Sequence, residues 1–178
     1  MINKKQLPLK EELEKYFSYD KDTGKIYNKI YRGGRVSAGQ EAGSIKRYKG
    51  HSTKYLVIRF KRICYRAHRL AYILGGGKGL DETKEVDHIN HDGLDNRFEN
   101  LRIVSHKENL KNQKLNRANT TGYQGVHFQK NRNKYTAYIK INKKKINLGY
   151  FLTAEEAYKA RKKKEEELGY HENHGTNL

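Results

Sequence analysis

Twice in this chain a hairpin pattern runs straight into a helix-capping signature, and that repeated pairing restricts the fold more than any other feature. Glu85–Asn90 has the composition of a strand, His91–Arg97 is a turn rich in Gly, Asp and Asn, and Asn100–Val104 is the return strand. Ser105 follows, with Glu108 one turn on, which is the capping box that opens a helix. Further along, Tyr135–Ile141 alternates apolar and polar residues, and Ile146–Phe151 can pair with it across Asn142–Lys145. Thr153 and Glu156 make a second capping box, opening a helix to about Leu168 that Gly169 stops. A first strand at Gly125–Gln129 completes a three-stranded antiparallel sheet. Ala154, Ala157, Tyr158 and Leu168 lie along one stripe of the helix, which therefore packs on one sheet face and leaves the other free.

The remaining elements are short. Leu9–Tyr16 suits a helix, and Asp22-Thr23-Gly24-Lys25 is a hairpin turn within Phe17–Tyr31. Tyr55–Phe60 reads as a strand with Ile63–Tyr65 as its partner, and Ala67–Leu74 as a helix ending at Gly75-Gly76-Gly77. No phosphate-loop pattern surrounds that glycine run. Asn112–Thr121 is polar and without periodicity, so the domain boundary is placed there. The expected organisation is α+β: a first domain over 1–112 with a β-rich N-terminal extension, a linker at 113–119, a second domain over 120–170 and a tail at 171–178. His171-Glu172-Asn173-His174 in that tail reads as a solvated end rather than a metal site.

Charge decides the class of partner. The 178 residues are 35% hydrophobic and carry a formal charge of +18. The mean hydropathy is −1.07 and the sequence pI about 9.8, so cores must be small and nucleic acid is the favoured partner. From Leu110 to Ala154 there is no Asp or Glu among ten Lys and Arg, where a merely solvated face would mix signs. The basic residues are interleaved with Tyr and Asn, and no long apolar run is present, which disfavours a membrane partner. A single Cys64 excludes a disulfide framework within the chain and a Cys-based zinc site. Met1–Lys5 has no apolar segment behind it, so no secretory signal is expected and the compartment is cytoplasm-like.

Val86-Asp87-His88-Ile89-Asn90, with Asn96, Asn100 and Asn109 after it, carries the chemistry. Hydrolysing a phosphodiester with one metal ion needs an anionic oxygen to hold the cation, a neutral oxygen ligand that leaves it Lewis-acidic, and a base for water. Asp87, Asn109 and His88 are those types. Asn96 or Asn100 alone would be turn chemistry. Neighbours in a flat strand point to opposite faces, so Asp87 and His88 share a site only if the strand end twists or the phosphate reaches round it.

In order along the chain, Tyr65-Arg66-Ala67-His68-Arg69-Leu70-Ala71-Tyr72, Val86-Asp87-His88-Ile89-Asn90, Leu94-Asp95-Asn96-Arg97 and Asn100-Leu101-Arg102 resemble HNH homing endonucleases of phages and introns, over about Phe17 to Asn112. The resemblance implies a ββα-metal (His-Me finger) nuclease core. It makes Asp87 and Asn109 ligands of Mg²⁺ or Mn²⁺, His88 the general base, and Asn100 the middle Asn that braces the hairpin. Asn109 stands for the last letter of the motif, His106 is a solvent or phosphate contact, and His91 a reserve ligand. Products would carry 5′-phosphate and 3′-hydroxyl.

The second unit is similar to the AP2 DNA-binding domain over about Thr120–Tyr170, through Tyr123-Gln124-Gly125-Val126, Lys134-Tyr135-Thr136-Ala137 and the run Leu148–Ala157. In that family the free sheet face lies in the DNA major groove. The matching positions here are Gln124, His127, Gln129, Tyr138, Lys140, Lys144 and Asn147, with Arg132 among the nearby cations. Several differ from the Arg and Trp of plant members, so the target sequence does not transfer. The expectation is a sequence-selective, metal-dependent endonuclease acting on double-stranded DNA in a bacterial or phage-infected cell, with no membrane or protein partner implied. Its rivals are a non-enzymatic DNA-binding regulator with a degenerate nuclease fold and a basic RNA-binding structural protein.

Overall fold

The computed structural model describes residues 7–34, 36–48, 53–112, 115, 118–142 and 144–176. The chain divides into two compact units, Met1–Asn109 and Leu110–Leu178. Both mix short helices with small antiparallel sheets. Among the described residues no helix is long and apolar enough to cross a membrane.

The first unit opens with helix α1 (Lys10–Glu14) and the hairpin β1 (Phe17–Tyr19) and β2 (Ile26–Asn28). Asp20 organises the turn between the strands: its carboxylate accepts from the Asp22 and Thr23 amides at 3.0 and 3.3 Å and from the Thr23 hydroxyl at 2.7 Å. Gly24 closes the turn at φ +73°, and a Cβ there would stand 2.4 Å from the Arg97 amide nitrogen and 2.5 Å from the Asn96 carbonyl carbon. The turn is therefore packed directly on the backbone of a distant loop. Gly24→Ala combines a left-handed backbone with overlap against main chain that cannot swing aside. It is expected to cost about 2 kcal/mol or more in urea unfolding. Parent-like stability would show that this contact is slack.

Three strands follow, β3 (Ser44–Arg47), β4 (Lys54–Phe60) and β5 (Ile63–Arg66), ordered β3-β4-β5. Strand β3 was not expected: all four of its residues are exposed, so no alternation announces it. The turn from β4 to β5 is Lys61-Arg62, both left-handed at φ 46° and 65°, a conformation usually given to Asn or Gly. Helix α2 (Ala67–Leu74) has the expected bounds, because Ala67, Leu70, Ala71 and Leu74 recur at helical spacing and are buried. They join Leu13, Phe17, Ile26, Ile58, Phe60 and Tyr65 in one core. The hairpin β6 (Lys84–His88) and β7 (Leu101–Ser105) and helix α3 (His106–Asn109) complete the unit. Ser105 and Glu108 make the reciprocal cap, at 2.7 and 3.2 Å.

The second unit is a sheet ordered β10-β9-β8, from β8 (Val126–Gln129), β9 (Lys134–Ile141) and β10 (Lys144–Phe151), with helix α4 (Ala154–Glu167) against it. The expected Thr153–Glu156 capping box is present. Val126, Ala137 and Ala157 are buried together, with Tyr123, Tyr135, Leu148, Phe151 and Tyr158 around them. The helix stripe differs from the expected one. It continues through Arg161 and Glu165, an ion pair of 2.7 Å that is 5% and 2% exposed. Arg161 also donates to the Tyr138 carbonyl, so this buried charge is paired and hydrogen-bonded as the interior requires.

The solvated tail is corrected. His174 is 3% exposed, lies edge-on to Tyr170 with centroids 4.8 Å apart, and places Nε2 3.6 Å from Glu165. Lys162 Nζ donates to the Glu172 and His174 carbonyls at 2.9 and 3.0 Å. Four residues of the expected linker, Gln113, Lys114, Asn116 and Arg117, lie outside the described residues, as does Lys143 of the acid-free stretch. Around them, Lys111 Nζ donates to the Leu168 carbonyl and the Leu115 amide to the Thr176 carbonyl at 3.4 Å. Lys111 and Leu115, at the beginning of the acid-free stretch, are thus tied to the C-terminal segment of their own unit.

Candidate active site

Strand period decides where the candidate residues go. Register pairs Glu85 with Val104, Asp87 with Arg102 and His88 with Leu101. Glu85 and Asp87 share one face, and α3 covers it: Asn109 Nδ2 donates to Glu85 Oε2 at 2.6 Å, and His106 Nδ1 stands 3.2 Å from Glu85 Oε1. Val86 and His88 take the other face, toward the core, where both are buried. The structure therefore brings Asp87 and Asn109 to one side of the hairpin and His88 to the other.

Asp87 is held by Arg102, whose Nη2 and Nε donate to Oδ2 at 3.0 and 3.2 Å. Glu85, one pleat away, adds a second carboxylate that sequence reasoning missed; its signal was the i, i+2 spacing from Asp87. Among the described residues no three His, Cys, Asp or Glu side chains group as a ready metal site. Magnesium needs no such group. It keeps several waters and takes one or two carboxylates plus substrate oxygens. Two carboxylates and an amide side chain on one face form an oxygen donor set of that chemistry.

His88 is 5% exposed. Its Nε2 lies 3.2 Å from Asn96 Oδ1, and Asn96 Nδ2 donates to the Leu94 carbonyl at 3.3 Å, which turns Oδ1 toward the imidazole. Neutral His88 accordingly carries its proton on Nε2, leaving Nδ1 as the basic nitrogen. Burial pushes the His88 pKa down, against smaller upward contributions from Asn96 and nearby carboxylates. His68, from α2, stands edge-on to the His88 ring with centroids 4.6 Å apart, and Tyr55 approaches both rings, at 5.8 and 6.1 Å. Burial, then the neighbouring His88, holds His68 well below its ordinary pKa. Asn96 and His68 are the site residues whose roles sequence reasoning did not assign. His68 stands in the run Tyr65–Tyr72 that carries the resemblance, where no role was attached to it.

Both imidazoles are thus neutral in the fold, while the unfolded chain takes up protons near pH 6.5. The stability this provides is complete above that pH and is lost as pH falls from about 6.5 toward the depressed folded values. Each ring contributes up to about 1.4 kcal/mol per pH unit across that window. Carboxylates titrate lower, and His127 of the second unit contributes in the same direction, so comparing the melting temperatures of parent and His68→Gln between pH 7.5 and 5 isolates the effect. A fall whose slope is reduced by His68→Gln is expected; a slope left unchanged by His68→Gln would contradict the buried, neutral pair.

The turn around His88 is built by Asn100. Its Oδ1 accepts from the Asn90 amide at 3.0 Å, and its Nδ2 donates to Asn90 Oδ1 at 3.0 Å and to the Asp95 carbonyl at 2.8 Å. Arg97 grips Asp95 through two donors at 2.8 and 2.9 Å, and these bonds, then the Arg97 amide and Asn90, hold the Asp95 carboxyl below its usual range. Tyr19 donates to the Asn96 carbonyl at 2.7 Å. His91 occupies the turn at φ +64°, 7% exposed.

On the second unit, register places His127, Gln129, Tyr138, Lys140 and Asn147 on the sheet face away from α4. His127 stacks on Tyr138 at 5.0 Å, and burial with Lys145 nearby lowers the His127 pKa. Lys144 differs: it pairs with Ile141 on the helix side, and Lys145, opposite Lys140, takes its place with Nζ 3.9 Å from the Tyr138 ring centroid. Asn147 is engaged in the bulge before Gly149, its Oδ1 accepting from the Gly149 amide at 2.9 Å and from Thr136 Oγ1 at 3.1 Å. Gln124 sits before β8 against Gly175, where a Cβ would meet its own at 2.4 Å. Arg132 lies over Tyr150 at 4.7 Å.

Residues 65–111 match a family model described as HNH endonuclease. That span holds α2, the β6–β7 hairpin and α3, and supports nuclease activity with DNA as the substrate. HNH nucleases generally use divalent metal ions. No curated protein and no solved structure matches the chain.

Proposed function

We propose that the first unit is a ββα-metal nuclease that hydrolyses DNA phosphodiester bonds, with His88 as the general base. The observation that carries this is the Asn96–His88 contact of 3.2 Å, which fixes the tautomer of a buried, neutral imidazole. Nδ1 of His88 then takes a proton from the attacking water as its oxygen bonds to phosphorus, and the 3′ oxygen leaves on the opposite side. His68 and Asn96 keep the ring from turning. Asp87 and Asn109, with Glu85 on the same face, would hold Mg²⁺ or Mn²⁺. When bound, the ion supplies charge to stabilise the phosphate and the leaving oxygen. Asn109, through its bond to Glu85, orients its amide toward that face. Asn100 holds the turn and does not touch the reacting atoms.

In the same reading the second unit is an AP2-like sheet that lies in the major groove of duplex DNA. His127, Gln129, Tyr138, Lys140 and Lys145 face the DNA, with Gln129 as the base reader and the lysines on phosphates. Asn147 drops out as a reader because its oxygen serves the bulge. Placement as a homing enzyme of a phage or mobile element rests on the resemblance alone. Sequencing the ends left in a library of duplex DNA tests the proposal. A shared motif at the cuts is expected; unmodified DNA, or breaks without sequence preference, would contradict it.

One observation favours a second reading, a DNA-binding regulator without activity: Asp87 and His88 lie on opposite faces of β6, and Arg102 occupies the Asp87 carboxylate. Duplex binding with unchanged DNA in Mg²⁺ would select it.

A further inference from the structure

A second basic surface lies in the first unit, on its three-stranded sheet. In the β3-β4-β5 sheet, Ile58, Phe60 and Tyr65 point into the core. Register sends Lys46, Tyr55, Arg59 and Arg66 to the opposite face. Among the described residues that face carries three cations and no carboxylate. Arg66 is preset there, its guanidinium over the Tyr55 ring at 4.4 Å and the Tyr48 ring at 5.7 Å. Tyr55 is also the residue whose ring approaches His88, at 6.1 Å. The face therefore begins beside the candidate base.

At its far side the same face forms one wall of a cleft of about 1110 Å³, closed by the segment after β2 and reached by Arg32, Lys46, Arg59 and Arg62. Arg32 is fixed in place. It lies over the Phe17 ring at 4.6 Å, donates to Asn28 Oδ1 at 3.1 Å, and donates again to the Arg59 carbonyl. Among the described residues of the lining Glu41 is the one carboxylate, and it stands 3.7 Å from Lys25. Guanidinium groups held by aromatic rings and carbonyls lose little freedom on meeting a phosphate, which is what separates such a surface from freely solvated lysines.

We infer that this cleft and face bind the phosphodiester backbone of the substrate DNA, carrying it from Arg32 and Arg59 past Arg66 and Tyr55 to the scissile phosphate. The inference takes its substrate class from the function proposed above and adds a DNA track in the nuclease unit itself. A free nucleotide is less suited, because the cations spread along the face instead of converging on one recess. An acidic peptide would match the charge but has no reason to end beside His88.

The test uses the full chain and the double variant Lys46→Ala/Arg59→Ala, both exposed residues outside the catalytic set. Affinity for mixed-sequence duplex DNA is measured by anisotropy across a KCl series, with hydroxyl-radical footprints and thermal melts alongside. The variant is expected to melt with the parent, to lower the slope of log affinity against log salt by about two, and to lose protection next to the cut. The charge-keeping variant Lys46→Arg/Arg59→Lys should keep the parent slope. A parent-like slope and footprint in the alanine variant would overturn the inference. So would saturable mononucleotide binding that the variant loses while its duplex slope stays unchanged. If the parent binds DNA but never cuts it, the nuclease reading fails, yet the slope comparison still decides this one.

Discussion

His88→Ala is expected to lower the rate of DNA cleavage by about a hundred- to ten-thousandfold, the usual contribution of a positioned general base. Duplex affinity should stay within a few-fold, because the imidazole acts on water and the DNA is gripped elsewhere. The ring is buried beneath His68 and Tyr55, so its removal also leaves a cavity. Thermal melts must accompany the kinetics, and single-turnover rates are compared at a temperature where both proteins are folded. Asn96→Ala offers a finer probe. It keeps the imidazole but frees the tautomer, so it should slow cleavage less than His88→Ala without changing affinity. Near-parent turnover of His88→Ala would remove His88 from the reaction and bring forward His91.

Asp87→Ala is expected to produce the second large loss, at least about a hundredfold in rate at fixed Mg²⁺, with saturation shifted to higher metal concentration. Asn109→Ala should act in the same direction and more weakly, since an amide supplies no charge. Their combination should lose little more than Asp87→Ala alone if both serve one ion. Arg102→Ala separates this from the loss of an ion pair: it frees Asp87 from a guanidinium at 3.0 Å and should leave metal dependence intact. The rate is followed across a MgCl₂ titration, with Mn²⁺ binding read by electron paramagnetic resonance. Unchanged titrations in Asp87→Ala and Asn109→Ala would place the cation elsewhere.

Local chemistry was legible in the sequence, and contacts across the fold were not. The α2 stripe, the Thr153–Glu156 cap and the alternation of β9 each specify their element within a few residues, and the structure has them at those places. Strand β3 was hidden because its residues are all exposed and bury no face. Lys61-Arg62 gave no turn signal because neither residue favours a left-handed backbone. The buried Arg161–Glu165 pair reads as surface charge until the C-terminal segment closes over it with His174.

The candidate site divides in the same way. Asp87, His88 and Asn109 stand out by type and spacing, and period two already places Asp87 and His88 on opposite faces. What holds each of them was not readable. Asn96 looked like turn chemistry, yet its Oδ1 lies 3.2 Å from His88 Nε2. His68 comes from a helix earlier in the chain, brought in by packing of α2 against β6. On the second sheet Lys144, carried over from the resemblance and expected within the turn, belongs to β10 on the helix side, and its neighbour Lys145 points to the open face because adjacent strand residues point oppositely.

The central claim is that this chain cuts DNA with the help of a divalent ion. Its most direct test is incubation of the purified full chain with supercoiled duplex DNA in MgCl₂, with and without EDTA, followed by analysis of the end groups. Nicked or linear DNA that forms only with free Mg²⁺ and bears 5′-phosphate and 3′-hydroxyl ends is the expected result. Supercoiled DNA that is bound but remains intact in both Mg²⁺ and Mn²⁺ would contradict it.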